Sequence, residues 1–257
     1  MIELSTAAFM AALKCFVSWR GRSREIFSDC GTYFVCAARE LKELFTLVQS
    51  ENLQQIVYLA HQGISWYFNS PAAPHQGGLW EAGVKSIKYH LYCVVSYVTL
   101  NFEEFYTVLT MIEACLNSRP LIALSSDPWD LSALTPGHFL IGDSLIAIPE
   151  AGEPFGKLND VARWQLVQQL VKHFWWCWSS EFLTRLQNRR KWWIKKENLH
   201  IGDMVILKDE QLPAQQWNIG RIVNTFPGVD GLVRTATVKT ASGEFKRPVV
   251  TIVPLPF

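Results

Sequence analysis

The stretch Ser70-Pro-Ala-Ala-Pro-His-Gln-Gly-Gly-Leu-Trp-Glu-Ala-Gly-Val-Lys-Ser-Ile-Lys88 joins a loop to a helix. Its first half contains two prolines and two glycines, which interrupt regular structure. From Trp80 onward, apolar residues recur at helical spacing and predict a long amphipathic helix. Glu81, Lys85 and Lys88 recur at i, i+4 and i+7. The spacing therefore predicts that a carboxylate and two ammonium groups share one helical face.

Upstream of this stretch, the pattern predicts two helices that alternate with two short strands. Ser5 is a suitable N-cap for the first helix, and Gly21 follows where a helix would end. A strand over residues 24 to 28 runs directly into Asp29, which is therefore expected just beyond its end. The predicted elements lie near residues 6 to 20, 24 to 28, 36 to 49 and 64 to 68.

Downstream, two further helices flank an irregular connector. Asn101 and Glu104 form a capping-box pattern for a helix that Pro120 ends. Its inward residues are predicted to be Phe102, Phe105, Leu109, Ile112 and Leu116. Residues 121 to 160 are rich in Pro, Gly, Ser and Asp and predict a connector. From Arg163, apolar spacing persists for about six helical turns towards a basic and aromatic end.

After Gly202 the apolar residues change from helical to strand periodicity. Four or five short β-rich runs occupy about 55 residues, with Gly, Pro and Asp between them. They lie at residues 204–207, 219–223, 232–238 and 249–253. This spacing predicts a small antiparallel barrel.

Composition limits the class of protein. Of 257 residues, 49% are hydrophobic and 13% aromatic, which excludes wholesale disorder. No apolar run is long enough for a spanning helix, and we expect a soluble intracellular protein without membrane contact. The scattered cysteines favour buried free thiols over disulfides or zinc. They are Cys15, Cys30, Cys36, Cys93, Cys115 and Cys177.

The net charge of +1 conceals a gradient along the chain. Residues Arg185 to Arg247 contain 12 Lys/Arg and 6 Asp/Glu, which leaves 12 against 17 for the residues before them. A phosphate-binding surface is therefore expected late in the chain.

Asp29 and Glu81 are the candidate metal ligands. If the fold brings them within about 4 to 6 Å, their oxygens are able to share hard divalent cations, as two-metal phosphoryl transfer requires. Taken singly, each has a structural explanation, because Asp after a strand often forms a turn and Glu in a first helical turn complements the dipole.

Several motifs together resemble integrases of Bel/Pao-type retroelements. The segments around the two acids carry the resemblance, and further matches follow in the family's order over nearly the whole chain. The motifs are Phe27-Ser-Asp-Cys-Gly-Thr-Tyr-Phe34, Ser70 to Lys88, Asn117-Ser-Arg-Pro-Leu121, Leu134-Thr-Pro-Gly-His-Phe-Leu140, Trp217-Asn-Ile-Gly-Arg-Ile-Val223, Asp230-Gly-Leu-Val-Arg234 and Lys246-Arg-Pro-Val249.

The resemblance implies a ribonuclease H-like core that binds two Mg²⁺ ions on three acidic residues and joins DNA by in-line attack. Asp29 matches the second acid and Glu81 the third. Lys85 and Lys88 would then neutralise phosphates of a DNA end, unless they are ordinary solvated lysines. His75 and Gln76 precede Glu81 and would orient substrate or line the metal site, although exposed loop positions are the simpler alternative.

The sequence also departs from this family. The first acid and the first three strands have no counterpart before the helix that begins near Ser5, and Cys30 replaces an Asn that commonly follows the second acid. The expected fold is α+β, with a truncated ribonuclease H-like core (1–120), a connector and long amphipathic helix (121–200) and an SH3-like β-barrel (201–257). With two of three acids, we expect no strand transfer from this chain alone and a marginal or partner-dependent N-terminal half.

The C-terminal half carries the candidate DNA contacts that complete the prediction. The tryptophans near 175 to 193 are expected mainly to pack the long helix, and the basic residues to contact phosphates or solvent. The basic end of the long helix adds Arg189, Arg190 and Lys191 as candidate phosphate contacts. The resemblance implies a C-terminal barrel that binds DNA or a target-site partner, and its phosphate contacts would be Arg221, Arg234, Lys239, Lys246 and Arg247.

Three functional hypotheses follow from the sequence. The first is a fragment of a retrotransposon integrase that acts in the nucleus, with DNA, further copies or remaining polyprotein segments as partners. The second is a non-catalytic DNA- or chromatin-binding module derived from an integrase. The third is a structural protein that associates through its aromatic helix without nucleic acid.

Overall fold

The computed structural model describes residues 3–50, 64–70, 78–125, 127–147, 163–187, 198–209 and 212–256. It is a mixed structure of helices and sheets. The chain forms two compact units, Met1–Ser86 and Ile87–Phe257, and one helix runs through the boundary between them. The domain boundaries expected near residues 120 and 200 remain predictions.

The first unit contains helix α1 (Thr6–Arg20), strand β1 (Glu25–Ser28), helix α2 (Thr32–Ser50), strand β2 (Ser65–Phe68) and the start of helix α3 (Gly78–Val95). These bounds agree with the sequence predictions, except that α2 begins four residues earlier than expected. Local caps explain the agreement. Ser5 accepts a hydrogen bond from the Ala8 amide, and the Gly21 amide donates to the Val17 carbonyl.

Aromatic contacts join the helices of this unit to one face of the strand pair. The Phe9 ring of α1 lies edge-on to Phe34 of α2 at 4.9 Å and 5.7 Å from Trp66 of β2. Trp66 also stacks on Phe68 at 5.9 Å. Both helices therefore contact this face of the strand pair. The contact is shallow, however, since α1 contains no buried residue.

Strands β1 and β2 pair in parallel and form a two-stranded sheet. On its other face, the rings of Phe27 and Tyr67 stack at 5.0 Å and are 59% and 47% exposed. Parallel strands are usually buried on both faces, and two strands seldom form a stable sheet by themselves. A marginal or partner-dependent first unit accordingly remains a prediction.

The second unit packs three helices around an apolar core. Helix α4 (Phe102–Asn117) and helix α6 (Arg163–Leu186) form it together with the later turns of α3. The Asn101–Glu104 capping box is present, as predicted. Arg163 also hydrogen-bonds to Glu104, and this contact holds the pKa of that carboxyl below its usual value.

The predicted inward face of α4 is partly wrong. Its buried residues are Val108, Ile112 and Cys115, whereas Phe102 is 75% exposed. Only Ile112 among the predicted inward residues is fully buried. The packed stripe runs through smaller side chains, which let α4 approach α6 closely, and the large aromatic residues of the first turn remain outside it.

The connector after α4 contains more structure than expected. Strands β3 (Ile122–Ala123) and β4 (Ala133–Leu134) form a short antiparallel pair, and helix α5 (Pro136–Ile141) follows. Ala133 packs in the apolar cluster that includes Leu183 of α6, so this segment belongs to the folded unit.

The C-terminal region contains the strands β5 (Met204–Leu207), β6 (Ile219–Pro227), β7 (Val233–Thr240), β8 (Gly243–Pro248) and β9 (Ile252–Pro254). They form an antiparallel sheet in the order β8-β7-β6-β5-β9. The expected barrel is wrong in this respect, because the sheet does not close: β8 and β9 are its two ends. A single 3-10 turn, Val249–Thr251, leads from one edge strand to the other.

Strand β5 is buried on both faces and joins two cores. Val205 and Leu207 face a cluster formed within the sheet, whereas Met204 and Ile206 pack towards α6 and β4. Its uninterrupted apolar pattern is typical of a central strand with both faces covered. The sheet is therefore packed onto the helices of its own unit.

The cysteines are all free, but most are not buried as expected. Cys115 is buried, and burial raises the pKa of its thiol to about 12. Cys15, Cys30 and Cys93 are exposed. Among the described residues, no helix is both long and apolar enough to cross a bilayer.

Trp217, just before β6, connects the helical core to the sheet. Its ring contacts Trp175, Trp178 and Phe182 of α6 at centroid distances of 4.8, 6.2 and 5.6 Å. Its indole N–H donates to Ser118 Oγ at 3.2 Å. Trp217 therefore contacts α6 with its ring and the end of α4 with its polar atom.

We expect Trp217→Ala to destabilise the second unit by about 3 to 5 kcal/mol, because it leaves a cavity between helices and sheet. Urea unfolding followed by circular dichroism measures this change. The matched control is Trp129→Ala, whose side chain is 76% exposed and whose loss should cost less than about 1 kcal/mol. Equal effects of the two substitutions would contradict the role of Trp217.

Candidate catalytic residues and nucleic-acid interface

Asp29 lies immediately beyond β1, where the sequence predicted it. Its side chain is exposed, and Oδ1 accepts a hydrogen bond from the Gly31 amide at 2.9 Å. A Cβ at Gly31 would lie 3.0 Å from the same oxygen. The Asp-Cys-Gly sequence thus forms a tight turn that keeps the carboxylate at the end of the strand.

Polar contacts hold the carboxyl ends of the two parallel strands together. The Trp66 indole donates to Ser28 Oγ at 2.8 Å, and the Asn69 amide donates to the Ser28 carbonyl at 2.9 Å. The Cys30 thiol donates to the Asn69 carbonyl at 3.1 Å. Cys30 therefore ties the residue after Asp29 to the segment after β2, although a thiol lacks the donor and acceptor set of an amide side chain.

Glu81 is exposed in the first turn of α3, where a carboxylate also complements the helix dipole. His75 and Gln76 lie outside the described residues. Within the described chain, no group of three or more His, Cys, Asp or Glu residues is placed to hold a metal ion. The carboxylates of Asp29 and Glu81 together offer fewer oxygen ligands than two Mg²⁺ ions take. The convergence of these two carboxylates on a metal remains a prediction.

Lys85 and Lys88 are exposed on α3. The opposite face of the helix is fixed by His90 and Val94, which are 6% and 5% exposed. At about 100° per residue, both lysines lie at least about 140° from His90 around the helix. Burial of one face therefore keeps the two ammonium groups in solvent.

A buried histidine that the sequence analysis overlooked orients α3. His90 Nε2 contacts Glu181 Oε2 of α6, and Arg185 contacts the other oxygen of the same carboxylate. The edge of the His90 ring also meets Phe174 at 6.1 Å. The available signal was a histidine four residues before Val94 in an apolar stripe, which is typical of a core histidine with a polar partner.

Arg221 of β6 is not placed to contact phosphate, so this prediction is wrong in the structure. It is 6% exposed, and its guanidinium donates to the carbonyls of Asp130, Gly202 and Ser125. These bonds engage Nε, Nη1 and Nη2 within the protein. The side chain joins the sheet to the connector and to the turn before β5.

The glycine before Arg221 has a packing role in the same motif. A Cβ at Gly220 would lie 2.5 Å from Val238 Cγ1 and 2.6 Å from the Lys239 carbonyl. Only glycine therefore permits the close approach of β6 to β7 at this position. Together with Trp217 and buried Ile222, this gives the segment Trp217 to Val223 a structural explanation.

The other described cations of the C-terminal sheet have partners within the protein. Arg234 donates both Nη atoms to Asp230, and this contact holds the pKa of Asp230 below its usual value. The Lys239 ammonium lies 3.2 Å from the Trp129 ring centroid, and that of Lys246 lies 3.9 Å from Phe226. Arg189, Arg190 and Lys191 lie outside the described residues.

The tryptophans of α6 divide between core and surface. Trp175 and Trp178 are each 6% exposed and belong to the helical core, as the packing interpretation predicted. Trp176 is 51% exposed and Trp164 56% exposed, so these two rings lie largely outside the helical core. The helix therefore uses most of its described aromatic surface for packing.

Comparisons with known proteins match the chain to a family model and to several solved structures. Residues 162–255 match a family of unknown function (DUF5641). A chain from the cryo-EM structure of the simian T-cell lymphotropic virus intasome in complex with PP2A regulatory subunit B56 gamma is 14% identical, with a TM-score of 0.38. The match covers 100% of this chain and 66% of that one, and similarity this weak assigns neither fold nor function. No curated protein matches the chain.

We expect Arg221→Met to destabilise the second unit by about 3 kcal/mol, because three half-buried carbonyl groups lose their donor. Thermal and urea unfolding measure the effect. Arg234→Met removes the same charge from an exposed pair, so it should change stability far less. An Arg221→Met protein with unchanged stability but weakened DNA affinity would restore the phosphate-contact assignment.

Proposed function

We propose that the chain is an integrase-derived segment that binds DNA through α3. The observation that carries this proposal is the exposure of Lys85 and Lys88 on one face of α3, with the opposite face held by His90 and Val94. Two lysines at i and i+3 lie about one helical turn apart, which suits contact with successive phosphates. The Bel/Pao-like motifs before and along this helix make a DNA end the preferred ligand.

The same resemblance suggests the chemistry. In a ribonuclease H-like core, Asp29 and Glu81 would hold Mg²⁺, which supplies Lewis-acid activation for attack on a phosphodiester. The position of Asp29 just after a parallel strand and of Glu81 in a first helical turn is compatible with that role. The two matched motifs provide two carboxylates, so we propose that this 257-residue chain does not catalyse strand transfer by itself.

The alternative is a non-catalytic DNA- or chromatin-binding module derived from an integrase. Cys30 favours it, because its thiol is engaged with the Asn69 carbonyl and offers no amide group beside Asp29. The integrase hypothesis and this alternative both predict DNA binding. They differ in whether Mg²⁺ has any effect on the Asp29 and Glu81 region. A nuclear location and association with further copies or other integrase segments belong to the same proposal.

We expect the double variant Lys85→Ala/Lys88→Ala to bind duplex DNA more weakly and to reduce the salt dependence of binding. Each lost phosphate contact should lower the slope of log affinity against log salt by about 0.9. Fluorescence anisotropy over a salt series measures both quantities. The control Lys14→Ala/Lys42→Ala removes the same charge from exposed positions on α1 and α2. Identical slopes for the two double variants would contradict the role of α3.

We expect no joined product when the purified chain is incubated with DNA ends and Mg²⁺, while DNA binding persists. Two carboxylates leave a two-metal site without its bridging ligand set. Gel analysis of labelled ends measures joining, and Glu81→Gln is the matched variant. Joining that Glu81→Gln abolishes would show instead that the catalytic site is complete and would reject the inactive state.

A further inference from the structure

The later turns of α3 and helix α6 run in opposite directions within the second unit. Towards the end of α6, Glu181 contacts His90, and the edge of the His90 ring meets Phe174 at 6.1 Å. At the other end, Arg163, the first residue of α6, donates to the Thr99 carbonyl at 3.0 Å. Thr99 lies beyond the end of α3 at Val95. Higher residue numbers on α3 therefore meet lower ones on α6, and the two helices are antiparallel.

Two cysteines lie at matching positions along this helix contact. Cys93 follows His90 by three residues, so it lies about 60° from the histidine around α3. Cys177 lies between Phe174 and Glu181, at about 60° and 40° from them around α6. Both rotations have the same sense when each helix is followed from its own N-terminus. In an antiparallel pair, that places the two cysteines on the same side of the helix contact.

The other side of the contact is the apolar core, so the cysteine side is the accessible one. Val94 and Trp178 each directly follow one of the cysteines, and both are buried in the helical core. Cys93 is exposed, and Cys177 is half-buried. Burial, and then the neighbouring Cys93 thiol, raise the pKa of the Cys177 thiol. The two thiols therefore lie at the rim of the core, where a small oxidant in solvent reaches Cys93 first.

We infer that Cys93 and Cys177 are a redox-sensitive pair that forms a reversible disulfide between α3 and α6. The oxidant is a hydroperoxide. The Cys93 sulfur attacks hydrogen peroxide, the O–O bond breaks, and a sulfenic acid and one water form. The Cys177 sulfur then attacks the Cys93 sulfur, the S–O bond breaks, and the hydroxyl leaves with the thiol proton as a second water. Two thiols thus lose two electrons and two protons, and the peroxide is reduced to water.

The disulfide would connect two helices that are far apart in sequence. It closes a loop of about 85 residues that contains α4 and most of α6. A crosslink over a loop of this length restricts the unfolded chain strongly and stabilises the folded one. Oxidation therefore raises the stability of the second unit, and a dithiol reductant reverses it. The disulfide requires no nucleic acid, so this inference goes beyond the proposed function.

The test treats the full chain with hydrogen peroxide, blocks the remaining free thiols by alkylation and identifies disulfide-linked peptides by mass spectrometry without reduction. Cys93→Ser and Cys177→Ser each remove one member of the pair. Cys15→Ser is the matched control, because Cys15 is exposed like Cys93 but lies on α1. Circular dichroism verifies that each reduced variant keeps the wild-type helix content.

We expect the wild type and Cys15→Ser to yield a linked peptide pair that contains Cys93 and Cys177 and disappears with dithiothreitol. Oxidation should raise their midpoint of thermal unfolding by about 5 to 15 °C. Neither change should occur in Cys93→Ser. In Cys177→Ser, Cys93 should remain a sulfenic acid that dimedone traps, because its resolving thiol is absent.

The position of the crosslink and the rate at which it forms decide the outcome. The native chain should form the Cys93–Cys177 link faster than the same chain in concentrated urea, since folding holds the two helices together. Equal rates in the two conditions would overturn the inference. So would peroxide treatment that oxidises Cys15 but leaves Cys93 and Cys177 as thiols, or that links Cys93 mainly to another cysteine.

Discussion

The second unit depends on the packing of one indole between its helices and its sheet. Trp217 belongs to the strand region by sequence, yet its ring packs among Trp175, Trp178 and Phe182 of α6, and its N–H reaches Ser118 at the end of α4. The same side chain lines both the helical core and the core beneath the sheet. The two layers therefore share apolar contacts, and neither buries this surface without the other.

The polar side chains of Arg221 and Gln187 add hydrogen bonds between segments that the apolar contacts bring together. Arg221 bonds to carbonyls of two connector residues, Ser125 and Asp130. The Gln187 amide donates to the carbonyls of Val250 and of Ile252, the first residue of β9. Backbone carbonyls in irregular segments have no ladder to satisfy them, and buried side-chain donors supply the missing bonds. The arginine of the motif Trp217 to Val223 is thus explained by its role in the fold, without a nucleic-acid contact.

Features with a local cause were predictable, and those set by tertiary contacts were not. The ends of α1 and α4 followed from Ser5 and from the Asn101 capping box, because caps act within one turn. Strand β8 was missed, since its exposed edge carries charged residues where alternation would show apolar ones. Which face of α4 is buried depended on how closely α6 approaches it. Arg221 was expected to be solvent-exposed, because no sequence pattern reveals hydrogen bonds to three carbonyls in distant loops. For the candidate site, the placement of Asp29 after a strand and of Glu81 in a first turn was local and predictable.

The excess of positive charge late in the chain does not by itself identify a surface of unpaired cations. The residues from Arg185 to Arg247 hold the excess of positive charge, but every described cation among them has a partner within the protein. Arg221 would have to give up three carbonyl partners before it bound phosphate, whereas an exposed pair such as Arg234–Asp230 costs little to break. Lys85 and Lys88 belong to the acidic part of the sequence but lie on a helical face whose back is buried. Orientation by a packed opposite face, more than regional net charge, therefore makes α3 the better candidate for a DNA contact.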